Sequence, residues 1–379
     1  MVFKNLFFSE DWEELKKFEK LNINQKQIVF YAENKASFNH FRLLIDELMK
    51  KFEYSICIVT SISDKNFLKY ENIKIFYIGT GTARTKFFLT LKTFILITDT
   101  PDLDNFHLKK SKVYPVHYLY VFHSIFSTHS YLRENALDNF DTIFCVGKHH
   151  VEEIRKTEKI YQLKNKNLVE YGFGRIDELE LIKEDSKNYK NTVIIAPSYG
   201  KNNLLECCGE KIIDELIRNE FQVVLRPHYR IFKESKKTLE KIIDKFCNNE
   251  NFCLLKEVIP NEIFFNSIGM ISDWSGISVE FTFVNQKPVI FIDVPKKNLN
   301  QNFQKIGLEP IEIELRDKIG YLINENNISS IIEILKNPIE SAKIEIIDEI
   351  KKEIIFNNSN SAEIGSKEID KILKKLIKK

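Results

Sequence analysis

Long hydrophobic runs are missing from this chain. No stretch reaches the roughly 20 consecutive apolar residues that a membrane-crossing helix needs, although hydrophobic residues make up 43% of the sequence. The apolar residues must therefore be shared among short elements that build a core. Met1 to Lys20 is broken by Lys4, Glu10, Asp11, Glu13 and Glu14 before the apolar centre of a signal peptide could form, so a cytoplasmic location is expected. Charge of one sign is missing too. Lys and Arg number 56 and Asp and Glu 54, and the net charge of +2 argues against an obligatory polyanion, so no nucleic-acid partner is expected. The six cysteines, Cys57, Cys145, Cys207, Cys208, Cys247 and Cys253, form no CxxC pair and have no His at zinc-finger spacing. They read as small core residues in a reducing compartment, and no metal site is expected. Glycine is scarce: twelve Gly stand against thirty Phe and fourteen Tyr, which does not suit a disordered chain. No GxxxxGK[ST] sequence occurs, which argues against a P-loop nucleotidase.

What is present is an alternation of short apolar runs with helical patterns. A chain of 379 residues is longer than one core usually grows, so two domains are expected. Residues 10–20 read as an amphipathic helix, followed by strands at 27–32, 55–60, 73–78, 94–98, 116–122, 142–146 and 168–171, with a helix over about 37–52. Residues 172–175 read as a turn, and the charged segment 177–190 as a linker. A second series has strands at 192–196, 222–225, 252–255, 269–272 and 289–292, and the chain then ends in helices. Strands alternating with helices predict parallel sheets covered on both faces. The expected architecture is α/β, two Rossmann-like domains facing a central cleft, over residues 1–180 and 181–345, with C-terminal helices over 346–379. The last helix, 367–379, carries an apolar stripe ringed by lysines. It either packs on the body or makes peripheral contact with an anionic membrane surface.

Three stretches end apolar runs in polar residues, and in open α/β sheets ligands bind beyond the carboxyl ends of strands. In Ser272-Asp273-Trp274-Ser275-Gly276-Ile277-Ser278-Val279-Glu280, the donors of Ser275, Gly276 and Ser278 fall where a helix begins, suited to an anion, with Glu280 one turn on to accept from ribose hydroxyls. Ordinary N-capping by Asp273 or Ser275 is the plain alternative. Leu225-Arg226-Pro227-His228 offers phosphate a planar fork and an imidazole on a backbone stiffened by proline. A structural ion pair and a packed His would leave the same sequence. Val121-Phe122-His123-Ser124 places a candidate general base at a strand end. Ser198-Tyr199-Gly200 is a further donor loop. The remaining histidines, His149 and His150 included, read as structural or exposed, although the strand-end position of His149-His150 makes that pair the first candidate for an exception.

In this order the motifs resemble the CDP-glycerol glycerophosphotransferase family of teichoic acid and capsule synthesis. The matching residues are 121–124, Gly172-Phe173-Gly174-Arg175-Ile176-Asp177, 196–199, 224–228, 272–281 and Lys287-Pro288-Val289-Ile290-Phe291. The resemblance implies a GT-B fold and metal-independent, cofactor-free transfer of a polyol phosphate, above all glycerol phosphate from CDP-glycerol. The implied acceptor is a hydroxyl of a surface polymer or lipid-linked molecule, reached at the inner face of the membrane, with residues 1–180 as the acceptor domain and 181–345 as the nucleotide-donor domain. It also implies that His123 is the base for that hydroxyl, and that Arg226, His228, Ser275 and Ser278 hold the donor phosphates. The chain departs from the family pattern at Ser124, where Gly is usual, at Gly174, where Pro is usual, and over 125–130, which lacks the usual Lys. A glycosyltransferase using a UDP-, GDP- or CMP-linked sugar, a nucleotide-sugar epimerase, and a binding protein without catalysis stay open as alternatives.

Overall fold

A strand such as Ile28-Val29-Phe30-Tyr31-Ala32, apolar at every position, is stable only where both faces of its sheet are covered. The computed structural model describes residues 9–64, 70, 72–183, 191–296, 299–337 and 339–378, and in it all five of these residues are buried. The strand belongs to a seven-stranded sheet formed by β1 (Ile28–Ala32), β2 (Ile56–Thr60), β3 (Lys74–Tyr77), β4 (Ile95–Thr98), β5 (His117–Val121), β6 (Thr142–Cys145) and β7 (Asn167–Glu170). Their order is β3-β2-β1-β4-β5-β6-β7 and every pairing is parallel. The second sheet holds β8 (Thr192–Ala196), β9 (Gln222–Leu225), β10 (Phe252–Leu254), β11 (Gly269–Ser272), β12 (Val289–Ile292) and β13 (Tyr321–Ile323). It is also parallel throughout, in the order β10-β9-β8-β11-β12-β13. Two Rossmann-like sheets thus follow one another along the chain.

Alternation along each strand divides the core. Ile28, Phe30 and Ala32 pack on one face of the first sheet, and Val29 and Tyr31 on the other beside Phe18, Phe87 and Phe88. The second of these faces continues without a break to Ile194, Met270 and Phe291 of the second sheet. The two halves therefore share apolar core as well as a cleft.

Several expectations are revised. The helix expected over 37–52 is two, Lys35–Asn39 and Arg42–Lys51, because the Asn34 side chain accepts from Ser37 N and starts a short turn that ends at His40. β13 lies where only helices were expected. It is a three-residue edge strand without the continuous burial that marks the central ones. Residues 174–175 open a helix, Gly174–Leu181, which also takes up 177–181 of the charged segment; residues 184–190 lie outside the described ones. Asp177 and Glu178 of this helix are buried, and Asp177 accepts from the backbone N–H of Ser359 at 2.9 Å and of Ser361 at 3.0 Å and from the Ser361 hydroxyl. Among the cysteines, Cys57, Cys145 and Cys208 are buried, Cys207 is half-buried, and Cys247 and Cys253 are exposed on helix and edge-strand surfaces rather than in the core.

The C-terminal helix, Ser361–Ile377, returns to the first sheet and buries Ile369 and Leu373 against the face carrying Ile28 and Phe30. Each such side chain contributes roughly 1.5–3 kcal/mol when fully buried. Its lysines point outward, and among the described residues no helix is long and apolar enough to cross a membrane. The returning chain passes close over two glycines. A Cβ at Gly147 would lie 1.9 Å from the Ile354 carbonyl oxygen, and one at Gly172, where φ is +105°, 2.3 Å from that of Phe356. Gly172→Ala is expected to destabilise the protein by about 2 kcal/mol or more, read as a lower urea midpoint; an unchanged midpoint would show that the crossing is not tight.

Candidate active site

Register decides which loops meet. In the second sheet Ala196 pairs with Ser272, and Ile195 with Leu225, so β8, β9 and β11 end side by side. Residues 197–199, 226–228 and 273–276 leave the sheet at the same edge. In the first sheet Thr98 pairs with both Tyr31 and Tyr120, which brings the ends of β1, β4 and β5 together. The two edges face each other across a cleft of about 750 Å³.

Of the residues singled out in the sequence, His123, Tyr199, Arg226, His228, Ser275, Gly276 and Glu280 line this cleft. Ser198 and Ser278 do not. The Ser278 hydroxyl donates to Ser275 O at 2.6 Å, and Ser198, buried, donates its backbone N–H to Asp273 at 2.7 Å. Asp273, read as a possible helix cap, binds a different set of groups. With no solvent exposure, it accepts from Ser198 N at 2.7 Å, Trp274 N at 2.7 Å and Leu204 N at 2.9 Å. It thereby fixes the loop after β8 to the loop after β11. Gly276 then opens the helix Ile277–Asn285, and the N–H groups of Ser278, Val279 and Glu280 are taken by the carbonyls of Ser275 and Gly276. A Cβ on Gly276 would sit 2.9 Å from Ser124 Oγ, so the two halves pack tightly here. Ser124, the departure at the first histidine, is buried in that contact.

The two motif histidines present opposite faces of their chemistry. His123 Nδ1 lies 3.0 Å from the Asp99 carbonyl oxygen, with the Tyr120 hydroxyl 3.2 Å away. A carbonyl can only accept, so Nδ1 carries the hydrogen, and in the neutral ring Nε2 is the basic nitrogen. At His228 the relation is reversed: Arg230 N donates to Nδ1 at 3.2 Å, so in the neutral ring Nε2 carries the hydrogen and is a donor. The His228 ring packs at a tilt against both Tyr199 and Tyr229, at centroid distances of 4.4 and 4.5 Å, and the Arg230 guanidinium lies 4.0 Å over Tyr199.

Beneath the cleft runs a line of alternating charge. Arg175 Nη1 donates to Glu178 at 2.7 Å, Arg42 reaches the same carboxylate at 3.1 Å, and Arg175 Nε lies 3.9 Å from Glu280. Burial pushes the Glu280 carboxyl up to about 7 against the pull of Arg175 and Arg226, and burial likewise lowers Arg226 against the pull of Glu280. Asp99 is also raised to about 7 by burial. His40, Asp99, Arg175, Tyr229 and Arg230 all line the cleft without having been chosen from the sequence. Asp99 and Arg230 follow strand ends, and the rule that flagged His123 would have found Asp99. His40 gave no local signal, and Arg175 was marked only as part of the motif at 172–177. His149 and His150 are structural after all: both are buried or nearly so, and their Nε2 atoms donate to the carbonyls of Ile125 and Phe126 at 2.8 and 2.9 Å. Among the described residues, no group of three or more His, Cys, Asp or Glu is placed to hold a metal ion.

A carboxyl raised on folding stabilises the protein below its ordinary value, and that contribution is lost as pH rises through the folded value. For Glu280 the loss runs from about pH 4.5 to about 7 and amounts to roughly 3 kcal/mol. Glu280→Gln should flatten urea stability over this interval, leaving the part due to Asp99; a pH dependence identical to wild type would contradict the burial argument.

A family model described as CDP-Glycerol:Poly(glycerophosphate) glycerophosphotransferase matches residues 15–302. No curated protein matches the chain. Among solved structures, UDP-GlcNAc 2-epimerase from Methanocaldococcus jannaschii in complex with UDP-GlcNAc and UDP is similar at 13% identity and a TM-score of 0.56, over 92% of this chain and 100% of that one. S. aureus MnaA with UDP is similar at 12% identity and 0.56, over 93% and 97%. Anabaena Alr3699/HepE with UDP and glucose is similar at 11% identity and 0.52, over 92% and 99%. At such identities the likeness concerns the fold, which is GT-B.

Proposed function

The chain belongs to the CDP-glycerol:poly(glycerophosphate) glycerophosphotransferase family, and from that premise we propose that it transfers glycerol phosphate from CDP-glycerol to a hydroxyl of a surface polymer or lipid-linked acceptor, at the inner face of the cytoplasmic membrane. The observation that carries this reading is the opposed pair of histidines in one cleft, His123 with a basic Nε2 and His228 with a donating Nε2.

In the proposed reaction His123 Nε2 takes the proton of the acceptor hydroxyl as that oxygen attacks the phosphorus bearing glycerol. The new P–O bond forms as the bond to the CMP phosphate breaks, and CMP leaves. His228 Nε2–H and the Arg226 guanidinium meet the charge that gathers on the leaving phosphate, which is where fixed donors accelerate phosphoryl transfer. The opening N–H groups around Ser275 and Gly276 supply further donors, and Glu280 is placed in this reading to accept from ribose. The chemistry needs no resident cofactor.

A second reading, a nucleotide-sugar transferase or epimerase, has in its favour the UDP bound by the fold relatives above. A thermal-shift panel of CMP, CDP, UDP and GDP separates the two, since a ligand of the native state raises its melting temperature. Selective stabilisation by CDP is expected; a response to UDP alone would favour the second reading. With CDP-glycerol and a glycerol phosphate polymer, His123→Ala and His228→Ala should each lower CMP release by roughly 10²-fold or more, and Arg226→Ala should chiefly raise the donor KM. Unchanged rates in both histidine variants would remove them from the mechanism.

A further inference from the structure

A hydroxyl at the seam between the two walls of the cleft carries a proton that no acceptor among the described residues takes. Ser124 is 6% exposed, lines the cleft and directly follows His123. Its Oγ accepts from Phe126 N at 3.3 Å, and among the described residues it donates to nothing. Buried donors are rarely left unfilled, because each costs the desolvation of a lost hydrogen bond. The packing shows where this one is presented: a Cβ on Gly276 would lie 2.9 Å from the oxygen, so the hydroxyl faces the loop after β11.

The backbone across that contact is in the same state. Among the described residues the N–H groups of Ser275, Gly276 and Ile277 meet no acceptor, whereas those of Ser278, Val279 and Glu280 are taken by the carbonyls of Ser275 and Gly276. Ser275, Gly276 and Ile277 line the cleft as Ser124 does. Donors from both halves of the molecule therefore converge on one seam. What fills several such donors at once is an oxygen-rich anionic group. In-line transfer brings one there. The attacking oxygen arrives from the side of His123 and the leaving oxygen departs toward Arg226 and His228, so the non-bridging oxygens of the transferred phosphoryl group lie off that line, between the walls.

We infer that Ser124 is a further catalytic residue, whose hydroxyl donates to a non-bridging oxygen of the phosphoryl group in transfer, opposite the N–H groups of Gly276 and Ile277. This rests on the transferase reading for the identity of that group. The first half of the molecule then supplies a donor to the phosphate as well as the base for the acceptor. Fixed donors aimed where charge develops are what lower the barrier in such a site. Ser124 is also where the chain departs from the family pattern, at a position where the usual Gly has no hydroxyl to offer.

The test uses Ser124→Ala, which removes the O–H and keeps the Cβ, with CDP-glycerol and a glycerol phosphate polymer. CMP release should fall roughly 10²-fold in kcat, while the donor KM and the rise in melting temperature given by CDP stay unchanged. A serine that only braced the turn at Phe126 would not sense which phosphate oxygen is replaced. The second readout is therefore CDP-glycerol with sulfur in place of one non-bridging oxygen on the glycerol-bearing phosphorus. Wild type should strongly prefer one diastereomer at phosphorus, and Ser124→Ala should lose most of that preference. Ser124→Gly should match Ser124→Ala and replaces it if the alanine variant fails to fold. A kcat within about threefold of wild type, or a diastereomer preference that survives the substitution, would overturn the role. Binding of glycerol 3-phosphate to CMP-loaded protein reads the same contact without turnover, and it should weaken about tenfold in Ser124→Ala. Wild type that releases no CMP, yet loses glycerol 3-phosphate affinity on substitution of Ser124, would overturn the transferase reading and leave the contact standing.

Discussion

One buried carboxylate holds the donor side of this cleft together. Asp273 has no contact with water and accepts from three backbone N–H groups, two belonging to the loop after β8 and one to its own loop after β11. A carboxylate in the interior is stable only when its oxygens are filled in this way. The geometry that fills them positions Tyr199 beside His228 and sets Gly276 at the start of a helix. Without it, three strand ends would still be neighbours by register, but their loops would be free to diverge. Trp274 adds a second tie, its Nε1 donating to Val294 O at 3.1 Å beneath the Arg316 guanidinium.

Against this fixed side, the first sheet supplies a wall of different character. His123 and Asp99 arrive from adjacent strands, and Arg175 reaches Glu280 from the helix that ends the first half. Ser124 packs closely on Gly276 between the two sides. At the rim, Lys35 and Glu257 pair across the cleft at 2.9 Å, an exposed contact that contributes little to stability.

The central strands were legible in the sequence because a strand covered on both faces must be apolar at every position, as in Ile28–Ala32 and Val289–Ile292. β13 escaped since an edge strand is only partly covered and lacks that pattern. In the site, His123, Arg226 and His228 announced themselves as polar residues directly after apolar runs. Ser278 carried the right chemistry at the right spacing, but within a helix its hydroxyl finds a carbonyl one turn back before it can find a ligand. His40 was hidden for the opposite reason: the break that turns its ring into the cleft arises from the Asn34 cap and reads in the sequence as continuous helix. Glu178 looks like an ordinary surface charge, and only the fold shows it buried between Arg42 and Arg175.

That return also bears on synthesis. The face of the first sheet formed by Ile28 and Phe30 is closed by Ile369 and Leu373, separated from it by more than three hundred residues of chain. While a ribosome is still making the second sheet, the first has an uncovered apolar flank. Contacts so remote in sequence form late, and the exposed surface is open to wrong partners in the interval. The N-terminal half of this molecule cannot be finished before the helix at 361–377 has emerged, so its folding on the ribosome waits for a segment made after the whole second sheet.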